Sequence, residues 1–198
     1  MHNPPLILAS TSRYRRELLA RLGLPFEVVS PHVDETPQRG ETPSSLVLRL
    51  AEAKARAVAQ GRAHGLVVGS DQVADCEGEP VGKPRDHDDA VRLLTRLSGR
   101  SVVFRTGVAL VNAANGHAQC ERVDVTSTLR RLSACEIEAY LVREQPYDCA
   151  GAVKSEALGI ALFDSIQSDD PTALIGLPLI TLARMLRHEG VDLFDVNR

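Results

Sequence analysis

The chain has 198 residues, a formal net charge of −3, 43% hydrophobic and 25% charged residues, and only 4% aromatics. That length supports one well-cored domain, expected as two lobes around a cleft. The mild negative charge gives no general attraction to nucleic acid or an anionic membrane, so any anion site has to be local.

In chain order, PLILA (5–9) reads as a buried strand. Ser12 then caps a helix through about Leu22, with Leu18, Leu19 and Leu22 inward and Gly23 ending it. FEVVS (26–30) is the next strand, followed by a polar loop carrying Asp34 and Glu35. Thr42-Pro43 starts a helix to about Gln60, because proline at the first helical position gives up an amide that has no partner anyway. Its one-sided spacing runs through Leu46, Leu50, Ala53 and Ala57, with Lys54 and Arg56 near the edges of that face. LVVGSDQVA (66–74) is a strand running into polar residues, and CEGEPVGKP turns as a hairpin at Gly78, with Lys83 on its return arm.

Asp86 starts a helix ending near Ser98-Gly99. Segments 101–116 and 117–132 pair as a long hairpin across Asn115-Gly116. Ser133-x-x-Glu136 is a capping box for a helix through about Arg143. Segment 147–163 is glycine-rich and then strand-like, QSDDPT is a loop, and 177–190 is a terminal amphipathic helix. Helices and strands alternate with inserted hairpins, which indicates an α/β fold with a mixed central β-sheet.

Several templates fail. Neither GxxxxGK[ST], GxGxxG nor GxSxG occurs, and the six histidines show no HExxH spacing. Basic residues are not interleaved with aromatics, which argues against an RNA-stacking surface. No run approaches the roughly 18 apolar residues of a membrane span, and MHNPPLILAS lacks the basic start of a signal peptide. Cys76, Cys120, Cys135 and Cys149 lie far apart and read as reduced thiols. The expectation is a cytoplasmic protein with no nucleic-acid or membrane partner, monomeric or homodimeric.

Four stretches carry candidate chemistry. In LILASTSRYRRELLARLG, hydroxyls and free amides at a helix start, followed by Arg15 and Arg16, suit phosphate oxygens; an N-capping serine before solvated arginines explains the same spacing. In VVGSDQVA, Asp71 at the end of a buried strand stands where open α/β sheets place ligands, as general base, metal ligand or simple cap. The DET loop offers adjacent carboxylates of the kind that share Mg²⁺ with substrate phosphates, or a solvated pair. CAGAVKSEALG sets Lys154 and Glu156 inside an apolar stretch, where charge is uncommon.

Together, ASTSRYRREL, the VDET loop, AEAKA, VVGSDQV, GKP, CAGAVKSEALG and GLPL resemble the Maf family of nucleoside triphosphate pyrophosphatases, from Leu6 to about Gly190. The chain departs at Arg13, where many members carry proline, with no change in chemistry expected. The resemblance implies an elongated Maf/ITPase-like fold and hydrolysis of a nucleoside triphosphate to the monophosphate and diphosphate with a divalent cation, Mg²⁺ or Mn²⁺. It makes Asp71 the expected catalytic base. Ser10, Arg15, Arg16, Lys54 and Lys83 are the phosphate-side residues it implies, and Glu35, with Asp71, the metal side.

Within the family, the branch acting on dTTP and UTP typically shows arginine, threonine and glutamine where this chain has Tyr14, Gln72 and Glu156. These three instead resemble the branch acting on 7-methyl-GTP. N7-methylation leaves guanine cationic, which favours an aromatic face such as Tyr14. The Glu156 carboxylate can accept from the N1 and N2 hydrogens of guanine, whereas thymine and uracil offer a single donor between carbonyls. The expected role is house-cleaning of a modified nucleotide. The alternatives are a dTTP/UTP pyrophosphatase and a non-catalytic nucleotide-binding regulator of septum formation.

Overall fold

A computed structural model describes residues 4–194. Its strands are β1 (Leu6–Ala9), β2 (Phe26–Val29), β3 (Leu66–Cys76), β4 (Glu79–Val81), β5 (Ser101–Asn112), β6 (Ala118–Leu129) and β7 (Phe163–Gln167). Its helices are α1 (Arg13–Ala20), α2 (Pro43–Ala59), α3 (His87–Leu97), α4 (Ala134–Glu144) and α5 (Leu179–His188). The strands form one mixed sheet in the order β2-β1-β3-β5-β6-β7, with β4 attached to β3. β1 runs parallel to β2 and β3, and every other pairing is antiparallel.

Local chemistry accounts for the breaks between elements. Ser12, Thr42, Asp86 and Ser133 each cap a helix by accepting an amide three residues on, and Thr42 and Ser133 complete capping boxes with Ser45 and Glu136. The β3–β4 turn places Glu77 and Gly78 both at positive φ, the twist that a two-residue hairpin needs. Asp75 steadies this turn by accepting the Gly78 amide.

Helix α2 lies unusually close to the sheet. A Cβ on Gly69 of β3 would collide with the Ala51 carbonyl, and one on Gly107 of β5 with the Val47 carbonyl. Bare glycines at these paired strands therefore let α2 settle onto them. The buried stripe of α2 runs through Leu46, Val47, Leu50, Ala51, Lys54, Ala55 and Val58. The sequence spacing placed Lys54 at an edge and Ala57 inside; the helix is rotated so that Ala57 is exposed and Lys54 sits within the stripe.

Two further expectations are corrected. Asp71 is not at a strand end, because β3 continues to Cys76. Segment 147–163 is not a strand either: it forms 3-10 turns at Ala150–Ala152 and Leu158–Leu162, and the strand begins only at Phe163. The positive φ of Gly151 and Ala152 breaks any extended run there. Among the described residues all four cysteines are free, and no helix is long and apolar enough to cross a membrane.

Candidate functional site

The site begins as a gap in the β-ladder. On one edge, β3 pairs with β1 only over Leu66–Val68 and with β4 only over Ala74–Cys76. Residues 69–73 are left without a strand on that side, because β1 stops at Ala9 and the chain turns away through Ser10 into α1. A cleft of about 1010 Å³ occupies this gap, lined by the β1–α1 turn, the 30–37 loop, α2, the middle of β3, the segment after β4, and residues 148–156 and 174–176.

At its centre, Lys54 of α2 reaches Asp71 of β3. The Lys54 Nζ lies 2.7 Å from Asp71 Oδ1 and 2.7 Å from Glu35 Oε1, so a single ammonium joins the two carboxylates. Lys54 is 4% exposed and Asp71 8%, whereas the Glu35 side chain is 60% exposed at the cleft mouth. A buried lysine is tolerable here because both of its neighbours are anions. Burial works against charge on Glu35, but the hydrogen bond from Lys54 and the charges of Lys54, Lys83 and Arg15 outweigh it and hold the carboxyl below its ordinary value.

Arg15 projects from the first turn of α1, where its Nε donates to the Gly176 carbonyl at 2.9 Å. Burial lowers its pKa, partly offset by Asp71 and Glu35, yet a guanidinium retains its charge under such pressure. Ser70 on the opposite face of β3 also donates to Gly176 O at 2.9 Å, tying the 171–176 segment to the strand. Ser10 is buried and accepts the Ser12 amide at 3.1 Å, and Lys83 lines the cleft from an exposed position after β4.

The expected phosphate-side set converges with one exception. Ser10, Arg15, Lys54 and Lys83 share the cleft, as do Glu35 and Asp71. Arg16 does not: it is exposed and lies outside the lining. The cleft takes Arg13, Tyr14 and Arg15 from the first turn of α1, and the further rotation of about 100° to the next residue carries Arg16 out to solvent. Arg13, expected to be incidental, lines the cleft instead.

Tyr14, Gln72 and Glu156 also line it. Gln72, however, spends its amide nitrogen on structure, donating to Ala173 O at 2.8 Å, Leu174 O at 3.1 Å and Thr106 Oγ1 at 3.0 Å. Only its carbonyl oxygen remains to meet a ligand. Burial raises the Glu156 carboxyl above its ordinary value, with Lys154 pulling the other way. Lys154 itself turns to Glu144, 3.1 Å away, and is not a lining residue. Sequence reasoning missed Asp148, which lies outside every motif, and gave no site role to Cys149, the first residue of CAGAVKSEALG; both line the cleft.

The donor set fits a divalent cation. Lys54 takes Asp71 Oδ1 and Glu35 Oε1, leaving Oδ2 and Oε2 free of protein hydrogen bonds among the described residues. No group of three or more His, Cys, Asp or Glu side chains able to hold a metal occurs among those residues. Two carboxylates whose remaining positions are filled by phosphate oxygens and water match the way Mg²⁺ is usually bound.

Comparison with known proteins adds to this geometry. The chain is 58% identical over 190 residues to a Polaromonas protein named 7-methyl-GTP pyrophosphatase, covering 96% of this chain and 87% of that one. Proteins of the same name from Methylobacillus flagellatus and Thiobacillus denitrificans are 57% and 56% identical, each over 96% of this chain and 98% and 94% of theirs. Among solved structures, the Staphylococcus aureus Ham1 protein aligns with a TM-score of 0.44 at 16% identity, over 63% of this chain and 71% of that one. The profile described as Maf-like protein matches residues 5–189, and the chain belongs to the Maf family.

Proposed function

We propose that this chain, as one domain with two lobes about the cleft, is a nucleoside triphosphate pyrophosphatase that hydrolyses 7-methyl-GTP to 7-methyl-GMP and diphosphate. The observation that carries the reaction is the single Lys54 ammonium joining Asp71 and Glu35, with Arg15 and Lys83 on the same cleft. A triphosphate carries about four negative charges, and its cleavage moves more charge onto the leaving diphosphate. Cations aimed at those oxygens stabilise that change.

Asp71 Oδ2 is the proposed base. It takes a proton from a water that attacks the α-phosphorus, the bond from that phosphorus to the α–β bridging oxygen breaks, and the electron pair leaves with diphosphate. Lys54 holds Asp71 by its other oxygen, fixing which oxygen faces the cleft. Arg15 and Lys83 receive charge developing along the polyphosphate, with Ser10 at the turn where the chain enters α1. Glu35 Oε2, with the Asp71 carboxylate beside it, would hold Mg²⁺ or Mn²⁺, which would neutralise phosphate charge and acidify water.

The base assignment rests on the names of the relatives and on three further residues of the cleft lining: Tyr14 offers an aromatic ring, Glu156 an acceptor for the guanine edge, and Gln72 a carbonyl oxygen. A panel of 7-methyl-GTP, GTP, dTTP and UTP with Mg²⁺, monitored by diphosphate release, tests both halves. Faster cleavage of 7-methyl-GTP than of the other three is expected. Preference for dTTP or UTP would overturn the base assignment, and nucleotide binding without turnover would overturn the reaction. Asp71→Asn is expected to lower kcat by about 10²-fold or more while keeping the fold.

A further inference from the structure

The base end of the cleft contains a cation already seated on an aromatic ring. The Arg13 Cζ lies 4.6 Å from the Tyr14 ring centroid. Its Nη2 donates to Tyr14 Oη at 2.5 Å and lies 3.6 Å from Asp148 Oδ2. Tyr14 Oη in turn donates to Asp148 Oδ1 at 3.2 Å, with the Cys149 sulfur 3.5 Å from the same oxygen. A ring face beside a carboxylate is the chemistry that recognises a planar, delocalised cation.

We propose that Asp148 is a further specificity-determining residue, the counter-charge for a cationic base, and that Arg13 holds the same Tyr14–Asp148 seat until that base displaces it. The inference rests on the 7-methyl-GTP reading and deepens it. A guanidinium and an N7-methylated guanine are both flat cations with dispersed charge, so one substitutes for the other against Tyr14 and Asp148. They cannot share the seat, because like charges in contact repel. A neutral guanine has no charge to offer Asp148 and leaves Arg13 in place.

Release of Arg13 is cheap. The side chains of Arg13 and Asp148 are 62% and 53% exposed, and pairs this open contribute little because water competes for both partners. Carboxylates are also in excess at this end. Glu156 lines it with Asp148, and Lys154, two residues before Glu156, is engaged by Glu144. Burial raises the Tyr14 phenol well above its ordinary value, so the hydroxyl remains a neutral donor to Asp148 when Arg13 leaves.

The test compares kcat/KM for 7-methyl-GTP with that for GTP in the wild type, Asp148→Asn and Arg13→Gln, at low and high salt. Asparagine keeps an oxygen to accept the Tyr14 hydroxyl and removes only the charge, so it separates recognition from a structural tether. The 7-methyl-GTP:GTP ratio is expected to fall about fivefold in Asp148→Asn, carried by KM rather than kcat, and to rise about threefold in Arg13→Gln. Added salt should erode the ratio in the wild type but not in Asp148→Asn. A ratio unchanged in Asp148→Asn, or lowered in Arg13→Gln, overturns the inference while the wild-type preference stands. A wild type with no preference overturns the base reading as well.

Discussion

Replacing Gly69 by alanine couples the fold to the site through one methyl group. Gly69 faces α2 from β3, and an added Cβ would overlap the Ala51 carbonyl and press on the Ala55 amide and, at 3.0 Å, its Cβ. These are backbone and first-carbon atoms in the interior of a helix, so no rotamer change relieves them; α2 must lift as a body. Overpacking of this kind costs about 1–3 kcal/mol. For a chain of this size each kcal/mol shifts the melting midpoint by about 2–4 °C, so a fall of about 2–12 °C is expected. Ala51 and Ala55 bracket Lys54, whose ammonium sits 2.7 Å from Asp71. A lift of about 1 Å withdraws it, and a misplacement of that size costs on the order of 10²-fold in turnover. Gly82→Ala is the stability control, since a Cβ there meets nothing within 4 Å and its φ is ordinary. Thermal unfolding by circular dichroism and diphosphate release measure the two effects. A Gly69→Ala protein matching the wild type in both would refute the close-approach argument and the role given to the position of α2.

Arg15→Ala and Arg16→Ala separate neighbours in sequence. The first is expected to lower kcat/KM by about 10²-fold, as for loss of one preorganised charge donor, and the second to stay within about twofold, both measured by diphosphate release. Chelation by EDTA should abolish turnover, with recovery on added Mg²⁺; full activity in EDTA would remove Glu35 and Asp71 from metal binding. Glu136 caps α4, and hydrogen bonds from the Ser133 amide and hydroxyl and from Arg130 lower its pKa from 4.5 to about 2. A depressed folded-state value stabilises above the unfolded one, so the advantage of wild type over Glu136→Gln should be full above about pH 4.5 and fade as pH falls towards about 2. Urea midpoints across that range measure it, and an advantage that grew on acidification would contradict the sign.

Caps and turns were readable from sequence because each depends on a few adjacent residues: Thr42-Pro43, Ser133-x-x-Glu136 and Asn115-Gly116 all act where they were expected. Facing directions were less readable. Lys54 looks like an edge residue on α2 because charge ordinarily sits there, and only Asp71 and Glu35, distant in sequence, make its burial tolerable. Arg13 and Arg16 were misjudged in opposite senses for a related reason. The phase of a short helix against a cleft is set by what lies across it, here Tyr14 against Asp148 and Arg15 against Gly176, with partners more than 130 residues away.

Asp71 shows how a residue of the cleft can be reached through an inaccurate picture. A carboxylate after an apolar run suggested the end of a strand, where an α/β sheet opens to its ligands. In fact β3 continues for five more residues, and Asp71 is paired across the ladder with Gly107. The sheet opens there because its neighbours are short: β1 covers only Leu66–Val68 and β4 only Ala74–Cys76. A carboxylate held mid-strand is fixed more firmly than one on a loop, since the continuous ladder with β5 sets its position before any substrate arrives. The same gap lets α2 bring Lys54 in from one face and the 171–176 segment bring the Arg15 anchor in from the other. Lengthening β1 past Ala9 would therefore close the gap and displace Ser10 while leaving Asp71 itself untouched, so the site depends on where the parallel strand stops as much as on the acid beside it.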